Sequence, residues 1–244
     1  MNEVEKFAAE RALAVKEMGA DQALRAKSID WMVHADRYKY TYNFTWMGRP
    51  IIKFPNDMVA QQEIVWRTRP DLIIETGIAH GGSIIFSASL LELMGHGHVV
   101  GIDVDIRAHN RAEIEKHPMA KRITMIEGGS TDPVVFERVK KLAHGAKSVM
   151  VILDSNHTHQ HVYDELKLYA DLVTVGNYVI LPDTFIEFFP KGYYTSTRPW
   201  DVGNNPYTAM KQFMAERSDF EIDPEPVNKS LITESFDGYL RRTR

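Results

Sequence analysis

The sequence predicts an α/β fold built on a doubly wound, mostly parallel sheet with an antiparallel edge. Three observations support this prediction. Short β-branched runs alternate with longer helical patterns from about residue 59 onward, glycine or proline separates most of these segments, and the chain closes in a tail of different character. Apolar strands that alternate with helices form a parallel sheet covered on both faces.

The N-terminal part of the chain stands outside this alternation. Residues 2–27 are rich in Ala, Glu, Lys and Leu, which favour a helix that Gly19 could interrupt. Residues 38–58 are aromatic and contain two prolines, which predicts an irregular segment acting as a lid or an oligomer contact. We therefore divide the chain into residues 1–58, a helix with an aromatic segment, and residues 59–244, one α/β domain.

Five helix and strand pairs follow, and glycine or proline marks most of the helix ends. The predicted strands cover residues 71–77, 98–105, 122–130, 148–156 and 177–184. The predicted helices cover residues 58–70, 82–95, 108–118, 132–145 and 161–173. In the tail we predict a helix over 205–217 and closing strands within 220–224, 229–235 and 238–244, with a turn at 236–238.

The composition favours a globular protein that acts on small molecules. The formal net charge of -4 argues against a protein whose main task is to hold nucleic acid by its phosphates. The absence of cysteine excludes disulfides and cysteine nucleophiles and is compatible with a reducing compartment. The N-terminus lacks the apolar core of a signal peptide, and no apolar run reaches the roughly 18–20 residues of a membrane span. We expect a cytoplasmic protein that binds neither nucleic acid nor membranes and that forms a homo-oligomer.

Polar or glycine residues follow every predicted parallel strand. In a doubly wound sheet, ligands bind beyond the carboxyl ends of the strands, so these residues are the candidates for one shared cleft. They are Glu75, Thr76, Gly77, Asp103, Asp105, Gly128, Gly129, Ser130, Asp154, Asn156, His157 and Asp183.

The loop after the first of these strands favours a nucleoside over a dinucleotide. It runs Gly-Ile-Ala-His-Gly-Gly over residues 77–82 and lacks the G-x-G-x-x-G pattern that holds a pyrophosphate. Asp103, at the end of the second strand, can accept hydrogen bonds from both ribose hydroxyls. S-adenosylmethionine fits this pattern, and a nicotinamide oxidoreductase does not. The alternative is that the glycines only make a tight turn.

A second group of residues predicts metal-assisted proton transfer. Asp154 and Asp183 end neighbouring strands and could together bind Mg²⁺. Such an ion lowers the pKa of a hydroxyl and orients it. His157, three residues beyond Asp154, could take the hydroxyl proton. The alternative for His157 is that it caps the next helix or faces solvent.

The histidines also permit a different class of enzyme. His157, His159 and His161 alternate, and on an extended segment they could bind Zn²⁺ as in a metallohydrolase. The segment begins a predicted helix, however, where this spacing separates the three rings. A non-catalytic nucleoside-binding protein is the remaining alternative, since it would keep Asp103 and not need His157.

Four segments of the chain, taken together, resemble the cephalosporin hydroxylase family. They are RPDLIIETGIAHGGSIIFSASLLELMG, VVGIDVDIRAHNRAEIEKHP, RITMIEGGSTDP and LDSNHTHQHVYDELKLYADLVTVGNYVI, and the resemblance extends over roughly residues 40–240. Members of this family resemble class I S-adenosylmethionine-dependent O-methyltransferases that modify antibiotics and sugar hydroxyls such as those of rhamnosyl groups. More distantly, the layout is similar to catechol O-methyltransferase. The resemblance implies a seven-stranded sheet whose last strand is antiparallel, with residues 59–244 as the methyltransferase domain.

Residue roles follow from the resemblance by position. The methionine end of the cofactor would contact Glu75 and Gly77, with Ser83 at the start of the next helix. The ribose would be held by Asp103, and the adenine would lie between Gly129 and Ser130. The Mg²⁺ ligands would be Asp154 and Asp183. The proton acceptor would be His157, at the position where the catechol enzymes carry a lysine.

One departure from the family pattern concerns the metal. Related enzymes often place a second acid or amide beside the aspartate of the fifth strand, and here the neighbour is Pro182. The site would then be weak, or completed by Glu187 or water. For the acceptor, a sugar or natural product, we expect residues 38–47 and 188–205 to form the pocket, because both carry Tyr and Trp. The alternative is that these aromatic residues pack in the core or at the interface of a homo-oligomer.

Overall fold

The computed structural model describes residues 2–244, in which strands and helices alternate along most of the chain. The strands are β1 (Phe44–Trp46), β2 (Arg49–Ile51), β3 (Leu72–Thr76), β4 (His98–Asp103), β5 (Ile123–Glu127), β6 (Val149–Leu153), β7 (Tyr178–Ile180), β8 (Phe220–Ile222) and β9 (Tyr239–Arg242). The helices are α1 (Glu3–Ala20), α2 (Gln22–Asp36), α3 (Pro55–Thr68), α4 (Gly82–Met94), α5 (Ala108–Lys116), α6 (Pro133–Ala143), α7 (His159–Tyr169), α8 (Pro206–Glu216) and α9 (Glu225–Ser230). None of the helices within residues 2–244 is long and apolar enough to cross a bilayer.

The central sheet has seven strands in the order β5-β4-β3-β6-β7-β9-β8. The pairs from β5 to β7 are parallel, whereas β9, the last strand in the chain, is antiparallel to both of its neighbours. The predicted fold class is therefore confirmed. The strand order reverses between β3 and β6, which is where such sheets open a binding crevice.

Side chains alternate between the two faces of the sheet and build a core on each. Ile73 of β3 joins Met150 and Ile152 of β6 in the core beneath α3 and α4. Ile74, the next residue of β3, joins Val151 in the core beneath α6, α7 and α8. Because both faces are covered, the central strands are apolar throughout, which explains why short continuous apolar runs predicted them.

The hairpin of β1 and β2 lies within the aromatic segment 38–58 and packs onto α4. The Trp46 indole donates a hydrogen bond to the Ser89 hydroxyl at 3.0 Å and meets the Phe86 ring edge-on at 4.9 Å. Residues 38–58 are therefore more regular than predicted, and residue 58 itself lies inside α3. Helix α1 buries no residue, and α2 begins at Gln22, after Asp21, whose carboxylate accepts a hydrogen bond from the Leu24 amide.

The predicted strand within residues 229–235 is wrong. Residues up to Ser230 belong to α9, and the rest form a loop. Pro224 and Pro226 favour a helix start here because proline has no amide hydrogen to lose in the first turn. Thr233 and Glu234 turn inward to buried partners instead of pairing in a sheet.

Candidate active site

A cavity of about 560 Å³ opens at the carboxyl ends of β3, β4, β6 and β7. Six of the residues that sequence analysis selected line it: Gly77, Ser83, Asp103, Asp154, His157 and Asp183. The main-chain nitrogen of Asp154 donates to the Thr76 carbonyl at 2.9 Å, so the ends of β3 and β6 are tied together directly below the cavity. The volume of the cavity is within the usual range for small-molecule sites.

Three of the residues assigned to the cofactor do not line this cavity. Glu75 is wholly buried beneath it, and Gly129 and Ser130 lie to one side. The Ser130 hydroxyl is within 3.1 Å of the His161 Nε2 atom, and its carbonyl accepts a hydrogen bond from the Tyr169 hydroxyl at 2.7 Å. The side chain of Ser130 is thus engaged with α7.

The glycine turn after β3 is held by close backbone contacts. Gly77 has a φ of +91°, and a Cβ atom there would lie 2.0 Å from the Asp154 carbonyl oxygen. Asp103 Oδ2 accepts hydrogen bonds from the amides of Ile78 at 2.8 Å and Ala79 at 3.1 Å. One carboxylate oxygen therefore orders the turn, while the same carboxylate faces the cavity.

Glu75 and Ser83 leave polar atoms without a protein partner. Glu75 Oε1 and Ser83 Oγ are buried, and within residues 2–244 neither has a hydrogen-bond partner of good geometry, although the Ser83 hydroxyl lies near enough to Glu75 to lower its pKa. Burial raises the pKa of Glu75 to about 7, although the nearby Lys53 ammonium opposes the shift. Buried polar atoms without partners are costly, so a ligand that donates hydrogen bonds here would be stabilised.

Asp154, His157 and Asp183 form a compact group in the cavity. Each offers one ligand atom, and these atoms lie within 4.8 Å of one another. His157 Nε2 is 3.0 Å from Asp183 Oδ2, and the His157 ring meets Trp200 edge-on at 4.6 Å. Burial raises the pKa of Asp154, and the Asp183 charge adds to this effect. Asp183 also has a φ of +59°, which non-glycine residues adopt seldom and which aims its side chain at this group.

Sequence analysis missed two buried charges, Lys53 and Glu234. The Lys53 ammonium lies 2.7 Å from Glu234 Oε1 and 3.5 Å from Asp154 Oδ2. Burial alone would lower the pKa of Lys53, but the carboxylates of Glu234, Asp154 and Glu75 outweigh it and hold the pKa well above its usual value. The available signal was a lone lysine in the apolar run IIKFP.

A buried carboxylate anchors the loop that carries Glu234. Asp57 of α3 accepts hydrogen bonds from the Thr233 hydroxyl, the Glu234 amide and the Tyr239 hydroxyl. Through Asp57, helix α3 is therefore joined to strand β9 and to the loop that carries Glu234, the partner of Lys53. No sequence pattern links residues this far apart in the chain.

Two alternative metal arrangements are wrong. The three alternating histidines diverge: His157 contacts Asp183, His159 contacts Thr208 and Gln212, and His161 contacts Ser130 and Ser155. A helix begins at His159, so their rings point to different elements and form no zinc site. Glu187 also lies away from Asp183, because its Oε2 atom accepts from the Gly203 amide and the Asn205 side chain.

Both predicted acceptor segments reach the cavity. Thr41 and Tyr42 line it from the N-terminal side, and Phe189, Tyr194 and Trp200 line it from the loop before α8. The Tyr193 hydroxyl donates to Asp36 Oδ2 at 3.0 Å and so ties this loop to the end of α2.

The strand order, the glycine turn after β3 and the acid at the end of β4 define a Rossmann-like methyltransferase. The model of the family described as Rhamnosyl O-methyltransferase/CmcI matches residues 38–243. The chain belongs to this family and is an S-adenosylmethionine-dependent O-methyltransferase. The resemblance seen in the sequence is therefore confirmed.

Similar proteins agree with this assignment. The chain is 31% identical over 205 residues to the rhamnosyl O-methyltransferase of Mycobacterium bovis (strain BCG / Pasteur 1173P2), covering 81% of this chain and 78% of that protein. It is 32% identical over 200 residues to the Mycobacterium leprae (strain TN) protein of the same name, covering 81% of this chain and 82% of that protein. The apo structure of CmcI superposes with a TM-score of 0.60 at 24% identity, over 83% of this chain and 77% of that one, and supports the fold.

Proposed function

We propose that the protein transfers a methyl group from S-adenosylmethionine to a hydroxyl of a sugar or a sugar-bearing natural product. The observation that carries this proposal is the group of Asp154, His157 and Asp183 inside the cavity that Gly77 and Asp103 also line. Its rhamnosyl O-methyltransferase relatives support a sugar acceptor.

The cofactor would lie along the ends of β3, β4 and β5. The unpartnered atoms of Glu75 and Ser83 suit the α-amino group of the methionine moiety, which donates hydrogen bonds. Asp103 would accept from the ribose hydroxyls through Oδ1, which also accepts from the Asp105 amide at 3.2 Å, while Oδ2 orders the turn. Gly129 borders open space, since a Cβ there would meet only Asp132 at 3.9 Å, and this favours a flat adenine ring.

Asp154 and Asp183 suit Mg²⁺ because this hard cation prefers carboxylate oxygens to an imidazole nitrogen. Lys53 occupies one oxygen of Asp154 and His157 one oxygen of Asp183, which leaves the second oxygen of each carboxylate for the ion. A divalent cation held there would lower the pKa of the acceptor hydroxyl and orient it.

His157 would serve as the general base. Asp183 and Trp200 fix the orientation of its ring. As the acceptor oxygen attacks the sulfonium methyl carbon, the carbon–sulfur bond breaks and its electron pair passes to sulfur, giving S-adenosylhomocysteine. The hydroxyl proton passes to His157. The protein's further contribution would be to align the attacking oxygen with the methyl group, which can lower the barrier by several kcal/mol.

Calorimetric titration with S-adenosylhomocysteine tests the cofactor assignment. We expect one binding site per chain and no binding of NAD. Asp103→Asn should weaken binding by about 10- to 100-fold, because a hydrogen bond to a charged group contributes roughly 1.5–3 kcal/mol. The control is Asp105→Asn, since Asp105 does not line the cavity. Binding of NAD alone, or equal affinity in both variants, would reject the assignment.

Metal removal tests the Mg²⁺ site by two readouts. Chelation should lower methyl transfer and added Mg²⁺ should restore it, and Mn²⁺ should bind in a titration followed by electron paramagnetic resonance. Asp183→Asn should abolish Mn²⁺ binding because it removes one of two carboxylate ligands. Asp132→Asn, in a helix cap outside the cavity, is the control. Full activity after exhaustive chelation, together with no Mn²⁺ binding by the unaltered protein, would contradict the site.

A further inference from the structure

Three cations line the cavity without a carboxylate partner. Arg37 and Lys39 follow the end of α2, and Arg198 lies in the loop before α8; all three are exposed and therefore stand at the mouth. Within residues 2–244, none of them forms an ion pair. Elsewhere in the protein many basic side chains do pair, as Arg217 does with Asp171 and Asp219.

The acid next to these cations in the chain forms no ion pair with them. Asp36 lies beside Arg37 in the chain, but its carboxylate accepts a hydrogen bond from Tyr193 instead. Burial raises the pKa of Asp36, although the Tyr193 hydrogen bond opposes this. The remaining lining acids, Asp103, Asp154, Asp183 and Glu234, belong to the cofactor and metal region described above. The cavity thus has an acidic interior and a cationic mouth.

The contacts of Trp200 limit the distance between the acidic interior of the cavity and its cationic mouth. One side of the tryptophan contacts the His157 ring, with 4.6 Å between ring centres, and the Arg198 guanidinium lies 5.5 Å from the same tryptophan ring centre. The guanidinium carbon is therefore no more than about 10 Å from the centre of the His157 ring. A small glycoside can span this distance with its sugar against the aromatic side chains.

We propose that the acceptor is an anionic glycoside whose carboxylate, sulfate or phosphate group binds at this cationic mouth, through Arg198 with Arg37 and Lys39 adding positive charge, while its hydroxyl faces His157. This inference rests on the proposed function and adds the chemical class of its substrate. Arginine favours such groups because its planar guanidinium can form two parallel hydrogen bonds with one anion. The charges also steer an anionic acceptor toward a cavity whose interior would otherwise repel it.

Paired probes measure this charge preference directly. Calorimetry on the protein saturated with S-adenosylhomocysteine compares phenyl glucuronide with phenyl glucoside, and glucosyl phosphate with methyl glucoside. The first pair tests a carboxylate and the second a phosphate. We expect the charged member of at least one pair to bind about tenfold tighter or better, and this advantage to shrink in about 0.5 M NaCl, because salt screens exposed charges.

Variants assign the preference to the mouth. The double variant Arg37→Gln/Arg198→Gln should reduce the charged member's advantage to less than about twofold, with S-adenosylhomocysteine affinity unchanged. Arg138→Gln, an exposed arginine on α6 outside the cavity, should leave the advantage intact. Unchanged cofactor affinity in the double variant also demonstrates that it is folded.

Two results would overturn the inference. One is equal affinity for the charged and neutral members of both pairs, including no measurable binding of either. The other is a loss of S-adenosylhomocysteine affinity in the double variant with the charge preference kept, since the cations would then bind the cofactor carboxylate. Failure of the proposed function is distinguishable, because the unaltered protein would then not bind S-adenosylhomocysteine at all.

Discussion

Replacing His157 with alanine should lower the rate of methyl transfer by about 10²- to 10⁴-fold, the usual contribution of a general base. His157 lines the cavity, and its imidazole Nε2 lies 3.0 Å from Asp183 Oδ2. S-adenosylhomocysteine affinity should stay the same, because His157 is assigned to the acceptor side of the site. Steady-state methyl transfer and calorimetry measure the two effects separately.

Two further variants sharpen this prediction. His157→Gln keeps a polar side chain but cannot take the proton, so it should be as slow as the alanine variant. His159→Ala is the matched control, since His159 contacts Thr208 and Gln212 and does not line the cavity. A rate within about twofold of the unaltered protein in both His157 variants would remove this residue from the proton transfer.

Replacing Lys53 with methionine should lower the free energy of unfolding by about 3–5 kcal/mol, the usual cost of leaving a buried charge without its partner. Lys53 is 3% exposed and Glu234 is 5% exposed, so water can replace little of the lost interaction. Urea denaturation followed by circular dichroism measures the change. Lys229→Met is the control: Lys229 pairs with Glu63 nearer the surface, and such pairs contribute about 0–1 kcal/mol.

The Lys53→Met loss should depend on pH. Burial raises the pKa of Glu234 and Lys53 opposes this shift, so removing the lysine raises the pKa further. An acid whose pKa is higher in the folded than in the unfolded state destabilises the folded protein as pH rises from the unfolded-state pKa to the folded-state pKa. The loss should therefore be larger at about pH 8 than at about pH 5. Combining Lys53→Met with Glu234→Gln should restore part of the lost free energy of unfolding. If Lys53→Met alone lost less than about 1 kcal/mol at every pH, that result would contradict the buried ion pair.

Local patterns were sufficient for most of the sheet but not for its closing part. Strands β3 to β7 are short apolar runs between glycine or proline breaks, and each was predicted within a few residues. The predicted strand at 229–235 failed because residues up to Ser230 belong to α9 and the residues after it form a loop held by side-chain hydrogen bonds. Thr233 and Glu234 point inward to Asp57 and Lys53, whose positions depend on α3 and the chain just before it.

The candidate site likewise contains some residues that local sequence patterns predicted and others that they missed. Asp103, Asp154, His157 and Asp183 were selected because they follow strands, and parallel strands deliver their carboxyl ends to one edge of the sheet. Lys53 and Glu234 follow no strand of that sheet and were missed. Ser130 was selected by the same rule, yet its hydroxyl faces His161, because side-chain direction depends on the packing of α7.

The amino-acid sequence by itself determined the alternation of helices and strands from α3 to β7, the family and the residues at the strand ends, because these depend on periodicity and on neighbours in the chain. Only the tertiary structure decided that Lys53 and Glu234 pair behind Asp154, that the three histidines diverge, and that Arg198 stands across Trp200 from His157. Those contacts join residues far apart in the chain, and their energies depend on burial and distance, which exist only after the sheet has brought its edges together.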